Sequence, residues 1–270
     1  MFQDQTMKKQ IHQANVEVHR SEAKYYEALH PEVYSKNEQE RIMATLEDID
    51  RQIQNNQKNA LDIGAGTGNL TGKLLAMGYK VTATDISPEM CEILRKKYRV
   101  YLPSQLNVIN SPIEELTFSQ GKFDLITSYS VLHHLPNYIS TLKALAAFLK
   151  VGGIIYIDHE ASPTYWKGEP RILASLVKAI YFHSNPTINA LYFQIIGLKV
   201  PTIDYTLSDY WHKKEHALNH QDVAQVFKET GFTSYERFDH YLNSTWLPNP
   251  LSIVYRLLCS PEMSYWIAKK

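Results

Sequence analysis

The sequence predicts an α/β fold, doubly wound around a mostly parallel sheet, and two observations carry this prediction. From Asn59 onward, short apolar runs alternate with segments of helical periodicity, which is the order that βαβ units produce. At the end of the first apolar run lie Gly64, Gly66 and Gly68, and leucines at helical spacing follow them. These glycines therefore occupy a strand-to-helix turn.

The elements can be justified in chain order. Residues 1–57 precede the alternating pattern and are helical and polar, with an amphipathic stripe formed by Ile42, Leu46, Ile49 and Ile53. We expect this segment to pack on the core as a lid. Apolar runs with strand character follow at residues 60–63, 80–85, 106–109, 123–128, 153–158, 232–241 and 264–268.

Helix signals separate these strands. Ser87 can cap a helix, Pro88 suits the first helical position, and Glu89 complements the positive end of the helix. A second helix covers residues 138–149. A third covers residues 220–230, because Asn219 caps its start and Gly231 ends it. Helices between successive strands imply parallel pairing.

Composition limits the classes of partner and compartment. The 270-residue chain has 28 basic and 28 acidic residues, so no overall field would attract nucleic acid. Its two cysteines are too few for a disulfide framework and indicate a reducing compartment. The chain shows neither a signal-peptide pattern nor an apolar run that is long enough to span a bilayer. We expect a cytoplasmic monomer or homodimer that has no nucleic-acid partner.

The glycine turn and the acid that follows it indicate a nucleotide-type cofactor. Alternating glycines let the backbone bend sharply and let a ligand approach to van der Waals distance. Asp85 ends the second strand, where a carboxylate can accept both hydroxyls of a ribose. The spacing is G-x-G-x-G rather than the G-x-G-x-x-G of a dinucleotide site, and no phosphate-binding lysine follows. A tight turn in another kind of α/β protein is the alternative.

Two segments resemble one enzyme family. The run LDIGAGTG at residues 61–68 resembles the first motif of the class I S-adenosylmethionine-dependent methyltransferases. The run SYSVLHHL at residues 128–135 resembles the segment that borders both methionine and methyl acceptor in that family. The resemblance implies a seven-stranded Rossmann-like sheet whose last strand is antiparallel. It divides the chain into a helical lid (1–57), a core (58–161 and 206–270) and an inserted substrate cap (162–205).

The resemblance implies that S-adenosyl-L-methionine is the cofactor and assigns residues to its parts. Asp62 would favour the methionine ammonium group, Asp85 would hold the ribose, and Ile86 would cover one face of the adenine. Where the family commonly has an aspartate near the adenine amino group, this chain has Pro112, which leaves the Ile113 amide as the expected contact. The implied cofactor-binding residues are Asp62, Gly64, Ala65, Gly66, Gly68, Asp85, Ile86, Ser111, Ile113, Ser128 and Tyr129.

His133 and His134 in the second motif are candidate catalytic bases. An imidazole titrates near neutral pH, so either of them can remove a proton from an acceptor hydroxyl. In the structural alternative, one of the two caps the next helix or satisfies a backbone carbonyl. His133 is the preferred base in this interpretation.

The remaining polar and aromatic residues near this edge are expected to contact the methyl acceptor. Asp158, His159 and Glu160 end the fifth strand, and imidazoles and carboxylates of this kind suit zinc or manganese. Spacing alone fixes no coordination geometry, so orientation of substrate is the favoured role and no metal is assigned. Aromatic residues can line an acceptor pocket or fill the core. The predicted substrate-binding residues are Tyr25, Tyr26, His159, Glu160, Tyr165, Trp166 and Tyr210.

The predicted function is transfer of a methyl group to an oxygen or nitrogen of a small-molecule acceptor, such as a natural-product intermediate. Two alternatives stay open. Residues 171–182 form an apolar stripe that either packs on its own domain or touches a membrane, as in a membrane-peripheral lipid or quinone methyltransferase. A non-catalytic sensor or partner subunit would bind the cofactor without turnover.

Overall fold

A mixed sheet with helices on both faces forms the centre of the protein in a computed structural model, which describes residues 2–30, 32–53, 58–165, 205–211, 218–242 and 249–270. The strands lie in the order β3-β2-β1-β4-β5-β7-β6, and β7 runs antiparallel to both of its neighbours. The predicted fold class is therefore confirmed. The strands are β1 (Asn59–Ile63), β2 (Lys80–Asp85), β3 (Leu106–Asn110), β4 (Phe123–Tyr129), β5 (Leu149–Ala161), β6 (Ser234–His240) and β7 (Met263–Lys269).

Helices precede, connect and follow the strands. Short 3-10 turns lie at Ala23–Tyr25, Arg99–Tyr101, Ile113–Glu115 and Leu132–His134. Within the described ranges, no helix has both the length and the apolar character to cross a membrane. The helices are α1 (Phe2–Glu22), α2 (Tyr26–Leu29), α3 (Lys36–Gln52), α4 (Asn69–Ala76), α5 (Pro88–Lys97), α6 (Tyr138–Phe148), α7 (Tyr205–Ser208), α8 (His220–Glu229) and α9 (Asn249–Leu258).

Two predicted helix starts are confirmed by their capping bonds. The Ser87 hydroxyl accepts the backbone N–H of Met90 at 3.3 Å, at the start of α5. Asn219 Oδ1 accepts the backbone N–H of Gln221 at 3.0 Å, at the start of α8. Each bond satisfies a donor that the first helical turn leaves without a partner in the helix.

Apolar side chains alternate along the strands and form a core on each face of the sheet. Leu61 and Ile63 of β1 pack with α6 and α8 on one face. Ala60 points to the other face and packs with α3 and α4. The stripe predicted in the N-terminal segment, which includes Ile42 and Leu46, is fully buried in this second core.

The register brings the carboxyl ends of four parallel strands to one edge. Ile63 at the end of β1 pairs with Thr84 of β2 and with Ser128 of β4. Tyr129 at the end of β4 pairs with Asp158 of β5. The strand order reverses between β1 and β4, and a ligand crevice is expected at such a switch point.

The predicted division into lid, core and inserted cap stays a prediction. The N-terminal segment is helical over α1, α2 and α3, and the apolar face of α3 packs in the second core. Most of the predicted insertion lies outside the described residues, including Trp166 and the apolar stripe at 171–182.

A buried ion cluster ties α3 to the edge of the sheet. Arg41 donates two hydrogen bonds to Glu38, at 2.6 and 2.9 Å, and one to Asp158 at 2.7 Å. The side chains of Glu38 and Asp158 are 0% exposed. Burial by itself raises the pKa of Glu38, but the bonds and charge of Arg41 and His240 outweigh burial and lower this pKa below its usual range. Arg41 therefore compensates two buried carboxylates.

We expect Arg41→Met to lower the free energy of unfolding by about 3–5 kcal/mol, because it leaves buried charges without their partner. Arg51→Met, on the exposed side of the same helix, should cost less than about 1 kcal/mol, since Arg51 pairs with Asp48 in solvent. Urea unfolding at pH 7 measures both variants. Equal losses of unfolding free energy in Arg41→Met and Arg51→Met would contradict the role of Arg41 in compensating the buried carboxylates.

The loss of unfolding free energy caused by Arg41→Met should depend on pH, and the lowered pKa of Glu38 gives the direction. Because the pKa of Glu38 is lowered in the folded state, its contribution to stability is present above the ordinary glutamate value of 4.5 and is lost as the pH falls. The difference in the free energy of unfolding between the wild type and Arg41→Met should therefore become smaller below this pH.

Candidate functional site

Two glycines in the turn after β1 have different neighbours. Gly64 and Gly66 have φ of +58° and +53°, in the left-handed region. A Cβ at Gly64 would lie 2.4 Å from Cγ2 of Val131, so this glycine lets the turn pack against the loop after β4. Among the described residues, a Cβ at Gly66 would meet no atom within 4 Å. Gly66 therefore leaves room for a ligand against the backbone.

Asp85 is held at the end of β2 by backbone donors. Its Oδ2 accepts the N–H of Gly66 at 2.8 Å, and its Oδ1 accepts the N–H of Ser87 at 2.8 Å. Burial raises the pKa of Asp85, while these two amide bonds act in the opposite direction. Each carboxylate oxygen has a second acceptor position, so Asp85 can also accept two hydroxyl donors from a ligand.

A cavity of about 650 Å³, the main cavity, opens at this edge of the sheet. Asp85 and Ile86 line it from the end of β2, and His134 lines it from the loop after β4. The other lining residues are His12, Asn15, His19, Tyr26, Gly64, Gly66, Met90, Pro112, Ile113, Glu114, Tyr129, Ser130, Val131, Leu135 and Pro136.

A second cavity of about 350 Å³ adjoins the main cavity. Tyr26, Gly64, Gly66 and Tyr129 border both, so the two are neighbours across the glycine turn. Residues of β1, α4 and the segment between α2 and α3 complete the second cavity. They are Val33, Tyr34, Asp62, Ala65, Thr67, Asn69 and Leu70.

Asp62 is a buried carboxylate on the wall of the second cavity. Thr71 donates a hydrogen bond to Oδ2 at 2.5 Å, and Thr127 donates one to Oδ1 at 2.8 Å. Burial raises the pKa of Asp62 to about 6, although the threonine bonds oppose this shift. A cationic group in the second cavity would favour the ionised form of Asp62.

Tyr129, between the two cavities, is held from behind by His159. Their rings stack with centroids 4.8 Å apart, and the Tyr129 hydroxyl lies 3.0 Å from Nδ1 of His159. The same hydroxyl donates to Glu38 at 3.2 Å. His159 has a φ of +60°, which is strained for a residue with a Cβ, and Asp158 Oδ1 accepts its N–H at 2.7 Å. His159 therefore fixes a wall residue instead of lining the cavity.

Glu160 shapes the loop after β4. Its Oε1 accepts the backbone N–H groups of Val131 and Leu132, at 3.0 and 2.8 Å. Its Oε2 lies 2.8 Å from Nδ1 of His133. Burial lowers the pKa of His133 well below its usual value, and the neighbouring histidines add to this shift. His133, the preferred base in the sequence, is thus buried against Glu160 and is not on the wall of either cavity in the described structure.

His134 takes the position that the sequence analysis preferred for His133. Its ring lines the main cavity, and its Nδ1 lies 2.6 Å from the carbonyl oxygen of Ser208. A carbonyl can only accept, so Nδ1 carries the proton and Nε2 keeps the lone pair. His134 therefore has the tautomer that a base acting through Nε2 needs.

The structure separates the predicted residues into three groups. Ten of them line a cavity: Asp62, Gly64, Ala65, Gly66, Asp85, Ile86, Ile113, Tyr129, Tyr26 and His134. Trp166 lies outside the described residues. The described residues that do not line either cavity are Gly68, Ser111, Ser128, His133, Tyr25, His159, Glu160, Tyr165 and Tyr210.

Local contacts explain two of these displaced positions. A Cβ at Gly68 would lie 2.5 Å from the ring of Tyr98, so this glycine serves the packing of α4. Tyr210 packs edge-on against Trp211, with ring centroids 5.5 Å apart. Both residues therefore support structure near the crevice. Their predicted ligand contacts stay predictions.

The sequence analysis missed Asn15, which lines the main cavity from α1 and is buried. A signal was present, because Asn15 and His19 are four residues apart and share a helix face with the apolar Ile11 and Val18. A polar pair on the buried side of an amphipathic helix indicates a lined cavity. The pattern of the first helix alone does not say where that cavity is.

One group of side chains has metal-ligating chemistry. In the described part of the chain, ligand atoms of His133, His134 and Asp209 lie within 4.8 Å of one another. Asp158, His159 and Glu160 do not belong to this group, because their side chains bond to Arg41, Tyr129 and the backbone after β4. The assignment of no metal stays a prediction.

Comparisons with known proteins match part of this chain to methyltransferases. Residues 61–157 match the family model described as a methyltransferase domain. Ubiquinone biosynthesis O-methyltransferase of Xanthomonas campestris pv. campestris (strain B100) is 32% identical over 99 residues, which cover 36% of this chain and 41% of that protein. The protein of the same name in Xanthomonas axonopodis pv. citri (strain 306) is 24% identical over 187 residues, or 66% and 78% of the two chains. The first match thus spans less than half of that relative's length.

Solved structures support the fold. A crystal structure described as a SAM-dependent methyltransferase from Archaeoglobus fulgidus superposes with a TM-score of 0.54 at 19% sequence identity. The match covers 91% of this chain and 100% of that chain. At this level of identity the superposition supports the architecture alone.

We expect Gly64→Ala and Gly66→Ala to differ in their effects. Both place a side chain at a positive φ, which costs about 1–2 kcal/mol. Gly64→Ala also forces Cβ against Val131, so it should destabilise the protein more than Gly66→Ala does. Urea unfolding measures both changes, and a larger loss for Gly66→Ala would contradict the contacts described above.

Proposed function

Because the chain belongs to the class I S-adenosylmethionine-dependent methyltransferases, we propose that it methylates a hydroxyl oxygen of a small molecule. The observation that carries this proposal is the crevice at the switch point. There, the Asp85 carboxylate, the open side of Gly66 and the Asp62 carboxylate border two adjoining cavities. Asp85 borders the main cavity, Asp62 borders the second cavity and Gly66 borders both, which supports this assignment.

The wall chemistry supports one orientation of the cofactor. Asp85 would accept the ribose hydroxyls, with Ile86 and Ile113 against the adenine in the main cavity. Asp62 would face the methionine ammonium group in the second cavity. Gly64 and Gly66 border both cavities, so the backbone between them can approach the chain that joins the two parts. Bound there, the cofactor would supply an electrophilic methyl group on a sulfonium.

The protein's own contribution is positioning and proton transfer. Holding two reactants in line can contribute about 7–11 kcal/mol toward the barrier. The main cavity extends past Tyr129 to His134, Leu135 and Pro136, which leaves a volume for the acceptor beside the glycine turn. As the acceptor oxygen gains the methyl group, the carbon–sulfur bond would break with its electron pair left on sulfur, and Nε2 of His134 would take the hydroxyl proton. The Nδ1 bond to Ser208 selects the tautomer in which Nε2 of the neutral ring holds the lone pair.

The matched relatives favour an oxygen acceptor. Both Xanthomonas proteins are described as O-methyltransferases of ubiquinone biosynthesis. A quinone precursor is therefore the second candidate acceptor, beside other hydroxylated small molecules. The apolar wall formed by Met90, Leu135 and Pro136 suits either of them.

A non-catalytic cofactor-binding sensor is the competing proposal. Incubating the purified chain with methyl-labelled S-adenosyl-L-methionine and a cell extract separates the two. Label in an organic-extractable small molecule is expected for the enzyme. Cofactor binding without label in any extract component would favour the sensor.

We expect Asp85→Ala to weaken binding of S-adenosylhomocysteine by about 1–3 kcal/mol, because it removes charge-assisted hydrogen bonds to the ribose. Asp48→Ala is the matched control, since Asp48 is an exposed acid on α3. Isothermal titration calorimetry measures both Kd values. Unchanged affinity in Asp85→Ala would refute the cofactor assignment.

We expect His134→Ala to lower kcat on a hydroxyl acceptor by about 10²–10⁴, the usual size of general base assistance. The affinity for S-adenosylhomocysteine should be unchanged, because His134 lies on the acceptor side of the cavity. Initial rates of label transfer and calorimetry measure the two effects. A normal rate in His134→Ala would remove it as the base.

A further inference from the structure

Asn15 carries an unusual buried oxygen on the wall of the main cavity. The residue is 4% exposed. Its amide nitrogen donates to the carbonyl oxygens of Ile11 and His134, at 3.0 and 3.2 Å. Because carbonyls only accept, these two bonds identify the nitrogen and leave Oδ1 as the other atom. Among the described residues, Oδ1 is buried without a hydrogen-bond partner.

His19 lies one helical turn further along α1 and shares this environment. Its Nδ1 is also buried without a partner among the described residues. Its ring meets the His134 ring edge-on, with centroids 5.5 Å apart, and it lines the main cavity. Burial lowers the pKa of His19 to about 3, and His134 and His30 add to the shift. The imidazole is therefore neutral at physiological pH and offers one donor and one acceptor.

Asn15 and His19 flank the proposed base. Asn15 bonds to the backbone of His134, and His19 contacts its ring. Buried polar atoms in proteins are normally paired, so two unpaired atoms beside one cavity mark a place where a ligand can supply the complementary groups. An acceptor whose hydroxyl reaches Nε2 of His134 would bring its neighbouring atoms toward α1.

The charges on the wall limit the class of acceptor. Among the described lining residues there is no lysine or arginine, and the carboxylates are Asp85 and Glu114. Glu114 lies 3.4 Å from Nε2 of His12. A phosphorylated or carboxylated acceptor would lose its hydration without gaining a cation. The wall beside His134 is apolar at Leu135 and Pro136, which suits an uncharged ring.

We propose that Asn15 and His19 form an acceptor subsite for an uncharged molecule that carries a second hydrogen-bond donor next to the hydroxyl to be methylated. Asn15 Oδ1 would accept this second donor, and His19 would contact the neighbouring edge of the molecule. The inference rests on the proposed function, because it assumes that the cofactor occupies the glycine side of the crevice.

The experiment measures binding of three probes to the full chain saturated with S-adenosylhomocysteine. Catechol has two neighbouring hydroxyls, phenol has one, and 3,4-dihydroxybenzoate adds a negative charge to the first. Ligand-detected NMR titrations give the three Kd values. We expect catechol to bind about tenfold more tightly than either phenol or 3,4-dihydroxybenzoate. Phenol leaves the buried acceptor unpaired, and 3,4-dihydroxybenzoate buries a negative charge, and each of these costs about a factor of ten in affinity.

Two variants test the assignment to Asn15. Asn15→Leu keeps the number and branching of the side-chain heavy atoms but removes the acceptor together with the amide donor, so the ratio of the catechol and phenol affinities should fall to about one. A merely structural change would weaken both probes and leave this ratio unchanged. Gln13→Leu, on the exposed side of α1, should keep the wild-type ratio.

The outcomes separate the two proposals. If the wild type does not bind S-adenosylhomocysteine, the proposed function is refuted and this inference with it. If it binds S-adenosylhomocysteine but does not prefer catechol to both other probes, the subsite is refuted while the cofactor assignment stands. If Asn15→Leu keeps the wild-type ratio of catechol to phenol affinity, the role of Asn15 is refuted, whatever the stability of that variant.

Discussion

Burial of carboxylates at the carboxyl edge of the sheet is the constraint on which the rest of this site depends. A carboxylate removed from water must receive hydrogen bonds or a cation, because its desolvation is otherwise costly. Threonine hydroxyls donate hydrogen bonds to Asp62, and backbone amides donate to Asp85. Arg41 donates to Asp158, and backbone N–H groups of the loop after β4 donate to Glu160. Each set of donors fixes the conformation of a different segment around the crevice.

These carboxylates divide into supporting and lining roles. Glu160 and Asp158 bond to donors behind the cavity wall. Glu160 orients the loop that carries His134, and Asp158 supports the stack of His159 on Tyr129. Asp62 and Asp85 have donors on one side and a cavity on the other. A carboxylate at this edge therefore either supports the wall or is available to a ligand, depending on whether it lies behind the wall or borders a cavity.

Sequence patterns could predict the elements of the fold and several residues that line the crevice, because both depend on residues that are close in the chain. The glycine turn, Asp85 and the caps at Ser87 and Asn219 are of this kind. The choice between His133 and His134 could not be predicted, since it depends on Glu160 and Ser208, which are 27 and 74 residues away. No local pattern records such pairings.

The wall of the main cavity combines groups from α1 with groups from the sheet. Asn15 and His19 come from a helix that precedes the first strand, Asp85 comes from the end of β2, and His134 comes from the loop after β4. A ligand that contacts both sides binds the docked arrangement of α1 more tightly than an undocked one. Docking of this helix and occupancy of the cavity are therefore linked equilibria, and a ligand that contacts both sides stabilises the attachment of the N-terminal segment by the difference between its binding to the docked and to the undocked arrangement.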